Sequence, residues 1–167
     1  MACGKIKTYP FLINKMDQVI LDTSVLVDWL HANRSSRPKN EVHRYNSKHA
    51  KTLIEDLIKS DKDIFISCHT LKELLQYPNI SVQEEERIEE LIPQFCYVLD
   101  TTTEIAKVAG ILSRKSAEYR EHHIEDCYIA ATAIYYQLPL LTRNPKDFKY
   151  VPHEDLKIQV PYSYRKS

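Results

Sequence analysis

Glycine is almost missing: the 167-residue chain holds only Gly4 and Gly110. Phosphate-cradling loops and dinucleotide-binding turns need several glycines at fixed spacing, because a Cβ would block the approach of backbone to phosphate. Both devices are therefore excluded. Cysteine is sparse as well. Cys3, Cys68, Cys96 and Cys127 stand far apart without any Cys-x-x-Cys pair, so nothing points to a zinc ribbon or a dithiol redox centre. Cys68 and Cys96 lie in apolar runs, where cysteine acts as a small hydrophobe. No apolar run approaches the roughly 18 residues of a membrane span. Residues 1–10 carry lysines and lack the apolar stretch of a secretory signal. The expectation is a cytoplasmic protein without membrane association. Net charge is zero, which argues against a uniformly basic nucleic-acid-binding surface.

What is present is an ordinary globular balance, 43% hydrophobic and 28% charged residues, over a length that suits one domain. Charge is uneven locally. Between His31 and Lys51, Arg34, Arg37, Lys39, Arg44, Lys48 and Lys51 face the single acid Glu41. Such a segment can hold phosphates on a neutral protein, or it can be a solvated loop.

Apolar runs alternate with helical periodicities. Residues 18–22 read as a first strand and 23–30 as the start of a helix. Residues 31–47, polar and interrupted by Pro38, read as a loop or irregular insertion. Ala50, Leu53, Ile54, Leu57 and Ile58 repeat at helical spacing. Residues 63–68 form a second strand, followed by a short helix over 71–77. Ser81 and Glu84 fit a capping box for a helix running to Pro93. A third strand is expected over 95–100, a helix opened by Thr101 and Glu104, and a further helix over 125–137. The fourth strand covers 138–142, and 157–160 gives a short fifth. This order predicts a three-layer α/β fold with a central, mostly parallel sheet of four to five strands. The chain reads as one domain over residues 1–167, with an N-terminal extension over 1–17.

In such sheets ligands collect at the carboxyl ends of the strands, and acids gather there in this chain. Asp22 ends the first strand. Alone it reads as well as an N-cap, but the following Thr23 and Ser24 offer other caps. Glu73 follows the second strand, within a Thr70-x-x-Glu73 capping pattern. Asp126 opens the helix containing Ala130, Ala131 and Ala133, where an acid also suits the helix dipole. Its neighbour Glu125 is expected to point elsewhere. Asn144 and Asp147 lie just past the fourth strand and are oxygen donors of the kind Mg²⁺ and Mn²⁺ prefer. Converging carboxylates repel, and a divalent cation relieves the repulsion. His122-His123 lacks zinc-ligand spacing and reads as a solvated helix entry.

The ordered set Val-Ile-Leu-Asp22-Thr-Ser24, Thr70-Leu-Lys-Glu73-Leu, Asp126-Cys-Tyr-Ile-Ala-Ala and Leu-Thr142-Arg-Asn144-Pro-Lys-Asp147-Phe resembles the motifs of the PIN-domain family. The resemblance spans residues 19–160 and implies a PIN-like, Rossmann-like scaffold. It also implies a metal-dependent endoribonuclease akin to the VapC-type toxins of toxin–antitoxin pairs. On it, Asp22, Glu73 and Asp126 match the three principal acids, with Asp147 or Asn144 as the fourth ligand of one or two Mg²⁺ or Mn²⁺ ions. Ser24 and Thr142 match supporting hydroxyl positions.

The implied reaction is hydrolysis of RNA phosphodiesters leaving a 5′-phosphate, with Arg143, Arg34, Arg37 and Arg44 as RNA contacts. A cognate antitoxin and a homodimer are the implied partners. The long 31–47 connection and the N-terminal extension depart from compact toxins. Two rivals stand beside this reading. A haloacid-dehalogenase phosphatase also starts from a strand-borne Asp, but it needs a second acid where this chain has Ser24. A non-catalytic PIN-like module would bind RNA or a protein partner without cleaving.

Overall fold

The computed structural model describes residues 17–33, 38–150 and 154–165. The elements run β1 (Gln18–Leu21), α1 (Thr23–Ala32), α2 (Glu41–Lys59), β2 (Asp63–Ser67), α3 (Cys68–Leu75), α4 (Val82–Phe95), β3 (Tyr97–Leu99), α5 (Thr103–Lys115), α6 (Ala117–Glu121), α7 (Ile124–Tyr136) and β4 (Leu140–Leu141). A 3-10 turn (Pro145–Phe148) and β5 (Ile158–Gln159) complete the chain. The strands form one sheet in the order β3-β2-β1-β4-β5, and every neighbouring pair is parallel. Parallel pairing requires crossover connections, and the helices that make them cover both faces of the sheet.

Strand alternation divides the apolar residues between those faces. Val19 and Leu21 of β1, Ile64 and Ile66 of β2 and Leu141 of β4 pack with Val25, Leu26, Ile54, Leu74, Ile88 and Ile92 of α1 to α4. Ile20, Phe65, Leu99 and Leu140 face the other way, against Ile105, Leu112, Tyr119, Ile129, Ala130 and Ala133 of α5 to α7. The sheet is thus a wall between two cores, which is the expected three-layer α/β architecture.

The chain leaves β1 in one direction to build β2 and β3, then returns to place β4 on the opposite side of β1. The switch point therefore lies between β1 and β4, where open parallel sheets leave a crevice at the strand ends.

Several boundaries differ from the sequence reading, each for a physical reason. The segment 31–47 is not one long loop: α1 continues to Ala32, and α2 begins at Glu41. Asn40 caps it, its Oδ1 accepting the His43 N–H at 2.8 Å. The opening turns of α2 bury the polar Asn46 and Ser47, so apolar periodicity does not reveal them. Helix α3 starts earlier than expected because Ser67, not Thr70, caps it, accepting the His69 N–H at 3.2 Å. Glu73 consequently sits in its last turns rather than in a capping box. Helix α4 runs through Pro93 to Phe95. The five-residue α6, capped by Ser116, is too short for apolar periodicity to reveal. Residues 1–16 of the extension, with Arg34 and Arg37, lie outside the described residues.

Candidate active site

Asp22 leaves β1 in extended conformation (φ −75°, ψ 156°) and caps α1, its Oδ2 accepting the Ser24 N–H at 3.3 Å. Its own N–H bonds the Leu141 carbonyl at 3.0 Å, which ties it to the end of β4. The residue is 4% exposed. Two hydroxyls also donate to Oδ2: Ser24 Oγ at 2.6 Å and Thr142 Oγ1 at 2.8 Å. Each hydroxyl is itself an acceptor. Ser24 Oγ takes the Arg143 N–H at 3.1 Å, and Thr142 Oγ1 takes the Asn144 N–H at 2.9 Å. A hydroxyl has one proton and two lone pairs, so each accepts an amide while donating its proton to the carboxylate. The Ser24 N–H and the two hydroxyls thus converge on one oxygen of the carboxylate.

Burial pushes the Asp22 carboxyl above its ordinary range, even against the hydrogen bonds from Ser24 and Thr142. Glu73, on α3, accepts a short hydrogen bond from Thr23 Oγ1. Burial, followed by the charges of Asp126 and Asp22, raises Glu73 to about 7 despite that bond. Asp126 lies in the first turn of α7, which the fully buried Ala130, Ala131 and Ala133 seat on the sheet. It is raised to about 6, first by burial and then by Asp22 and Asp147, while the bond from His123 opposes the shift. The charges of Asp22 and Asp147 thus act on Asp126, and those of Asp126 and Asp22 act on Glu73.

Glu125 takes the different direction expected of it. It bonds Lys72 at 2.6 Å and His69, joining α7 to α3. Burial works against its charge, yet the bonds from Lys72 and His69 hold it below the usual carboxylate range. Asp147 occupies the 3-10 turn, which the buried Phe148 pins into the core. Asn144 keeps its backbone on Thr142, and its Oδ1 lies 3.4 Å from Arg143 Nη1.

The expected RNA contacts fare differently from the acids. Arg143 Nε is committed to Asp28 Oδ2 at 2.7 Å, which anchors one edge of a guanidinium that stays partly exposed. Arg44 is exposed near the start of α2. Sequence reasoning missed Asp28, whose place inside an apolar helix run is the only signal it carries. His122-His123 does form the entry of α7, with His122 exposed and His123 partly so, but sequence reasoning missed the bonds of His123: Nδ1 meets Asp126 Oδ2 at 2.8 Å and Nε2 meets the Tyr150 hydroxyl at 3.2 Å. The His123-x-x-Asp126 spacing, one helical turn, was the available clue.

In donor chemistry the site fits Mg²⁺ or Mn²⁺: all-oxygen carboxylates whose mutual repulsion a hard cation relieves. Among the described residues, no three His, Cys, Asp or Glu side chains already stand in a ready-made cation cluster. No helix among the described residues is long and apolar enough to cross a membrane.

The fold and its acid-bearing switch point define a PIN-like α/β protein. The PIN domain profile matches residues 19–154, and the chain belongs to the PIN-domain family. Solved structures agree in fold. FitAcB from Neisseria gonorrhoeae superposes with a TM-score of 0.61 at 22% identity, over 86% of this chain and 97% of that one. A toxin–antitoxin complex from Klebsiella pneumoniae gives 0.59 at 24% identity, over 87% and 99%. VapBC-1 from nontypeable Haemophilus influenzae gives 0.61 at 18% identity, over 86% and 98%. No protein of curated function matches the chain.

Proposed function

We propose that the protein is a Mg²⁺- or Mn²⁺-dependent endoribonuclease of the PIN type, acting as the toxin of a toxin–antitoxin pair. The observation that carries this reading is the oriented Asp22 carboxylate at the β1–β4 switch point, electrostatically coupled to Glu73 and Asp126. Asp22, Glu73, Asp126 and Asp147 would hold the cation. When bound, it supplies charge neutralisation on the phosphate and acidifies water near neutral pH. Ser24 and Thr142 keep Asp22 in one orientation. His123 does the same for Asp126, and Thr23 for Glu73. No protein nucleophile is needed. Arg34, Arg37 and Arg44 are the proposed contacts to the RNA backbone, which position the strand without reading its sequence.

Support for an antitoxin partner comes from the fold's likeness to toxin–antitoxin complexes, some of them bound to DNA. A homodimer is proposed on the same likeness. The second reading, a non-catalytic module, draws on the absence of a ready-made cation cluster among the described residues. The deciding experiment incubates the purified protein with varied RNAs and Mn²⁺, alongside Asp22→Asn. Cleavage by the wild type that the variant lacks supports the nuclease. RNA or partner binding with no cleavage by either supports the module.

A further inference from the structure

Asp28 is a carboxylate only 3% exposed, and hydrolysis at Asp22 makes no direct use of it. It follows Ser24 by four residues on α1, so the two project from one helix face, a turn apart. Arg143 meets that face twice. Its backbone N–H donates to Ser24 Oγ at 3.1 Å, and its Nε donates to Asp28 Oδ2 at 2.7 Å. The buried Tyr162, beyond β5, donates its hydroxyl to the same Oδ2 at 2.9 Å. One acid thereby fastens α1, the loop after β4 and the segment after β5 together.

Burying a charge pair of this kind is weak evidence of stabilisation, because an apolar replacement of equal volume often serves as well. What a charged, directional pair does supply is fixed geometry. Here the fixed element is the Arg143–Asn144 backbone, whose two amides donate one each to Ser24 and Thr142, the two hydroxyls that donate to Asp22.

We propose that Asp28 is a positioning residue for the active site, acting through Arg143, which is its arm and not a phosphate contact. The inference rests on the nuclease reading for its kinetic consequence, but its structural half is independent of activity and of metal.

The test measures amide exchange and RNA cleavage in the wild type, Asp28→Asn, Arg143→Gln and the double variant. In metal-free protein the Arg143 and Asn144 amides should exchange about tenfold or more faster in Asp28→Asn, while the α7 amides keep their protection. In the Mn²⁺-loaded protein, kcat should fall about tenfold or more, the scale of second-layer effects at metal sites, with KM for RNA unchanged. Because Asp28 and Arg143 act as one unit, the double variant should be no worse than either single one. If Asp28→Asn fails to fold, Arg143→Gln, altered at a half-exposed end of the pair, carries both measurements. Unchanged exchange at Arg143 and Asn144 would overturn the proposal. So would a raised KM with intact kcat in Arg143→Gln, which would make Arg143 a phosphate contact. A wild type that cleaves no RNA refutes the nuclease reading instead, and amide exchange still decides the positioning role.

Discussion

Thr142 Oγ1 lies 2.8 Å from Asp22 Oδ2, although 120 positions separate the two residues in the chain. The contact exists because β1 and β4 are adjacent and parallel, pairing Leu21 with Leu141, so that the next residue of each strand emerges at the same rim. A neutral hydroxyl there stabilises the charged form of a buried carboxylate and fixes its direction. Replacing Thr142 with Val keeps the shape but removes that donor and leaves the Asn144 N–H without its acceptor. Cleavage should fall on the order of 10- to 100-fold, as expected for losing a hydrogen bond to a charged group of about 1.5–3 kcal/mol. Thr142→Ser, which keeps the hydroxyl, should retain most activity. Initial rates on one RNA at saturating Mn²⁺ check both.

Asp22→Asn should abolish cleavage while leaving the melting temperature unchanged or raised. Asn is as good an N-cap as Asp, so α1 keeps its cap. The substitution also removes a charge that burial disfavours. Asp22→Ala should lose activity and, with the cap gone, about 1 kcal/mol of stability as well. Cleavage assays paired with thermal melts separate the two effects.

The acids fix the sign of a pH effect. Glu73 moves from an ordinary 4.5 to about 7, and Asp126 from 3.8 to about 6, both raised chiefly by burial. A carboxyl whose folded pKa is raised contributes its full stability below the unfolded value and loses it as pH climbs through the folded value. The metal-free protein should therefore lose stability from about pH 3.8 to about pH 7 at this site. The loss is on the order of 1–2 kcal/mol once partial solvent exposure is discounted. Glu73→Gln should flatten part of that slope. Melting curves across the range, wild type against variant, read it directly. Mn²⁺ should raise the melting temperature more at the alkaline end, where the carboxylates are ionised, than at the acid end.

His123→Ala removes the partner of Asp126 Oδ2 and the link to Tyr150. With Asp126 free to turn, Mn²⁺ affinity should weaken about 10- to 100-fold, in line with other residues that orient metal ligands. Calorimetric titration with Mn²⁺ measures it.

The sequence made the acids legible because each follows an apolar run or opens a helix, and because strand–helix alternation predicts one rim for all of them. Strand identity was legible for the same reason: Ile64-Phe65-Ile66 and Leu140-Leu141 are buried on both faces. Helix starts were harder, since Asn40 and Ser67 cap through single polar side chains that other nearby residues mimic. The opening turns of α2 were hidden because Asn46 and Ser47 fill apolar-looking positions with polar atoms. Asp28 and Tyr162 could not be paired by reading the chain, because their bond depends on where the segment after β5 lies. The bond between Arg143 and Asp28 was hidden for the same reason: the two residues are remote in sequence.

The most direct test of the account is the position of Mn²⁺ in crystals of the protein soaked with it, located by anomalous scattering. The ion is expected at the carboxyl end of β1, ligated by Asp22 and Asp126, with Glu73 or Asp147 completing the carboxylate set. Mn²⁺ bound away from that rim, with the Asp22 and Asp126 oxygens directed into separate regions, would contradict it.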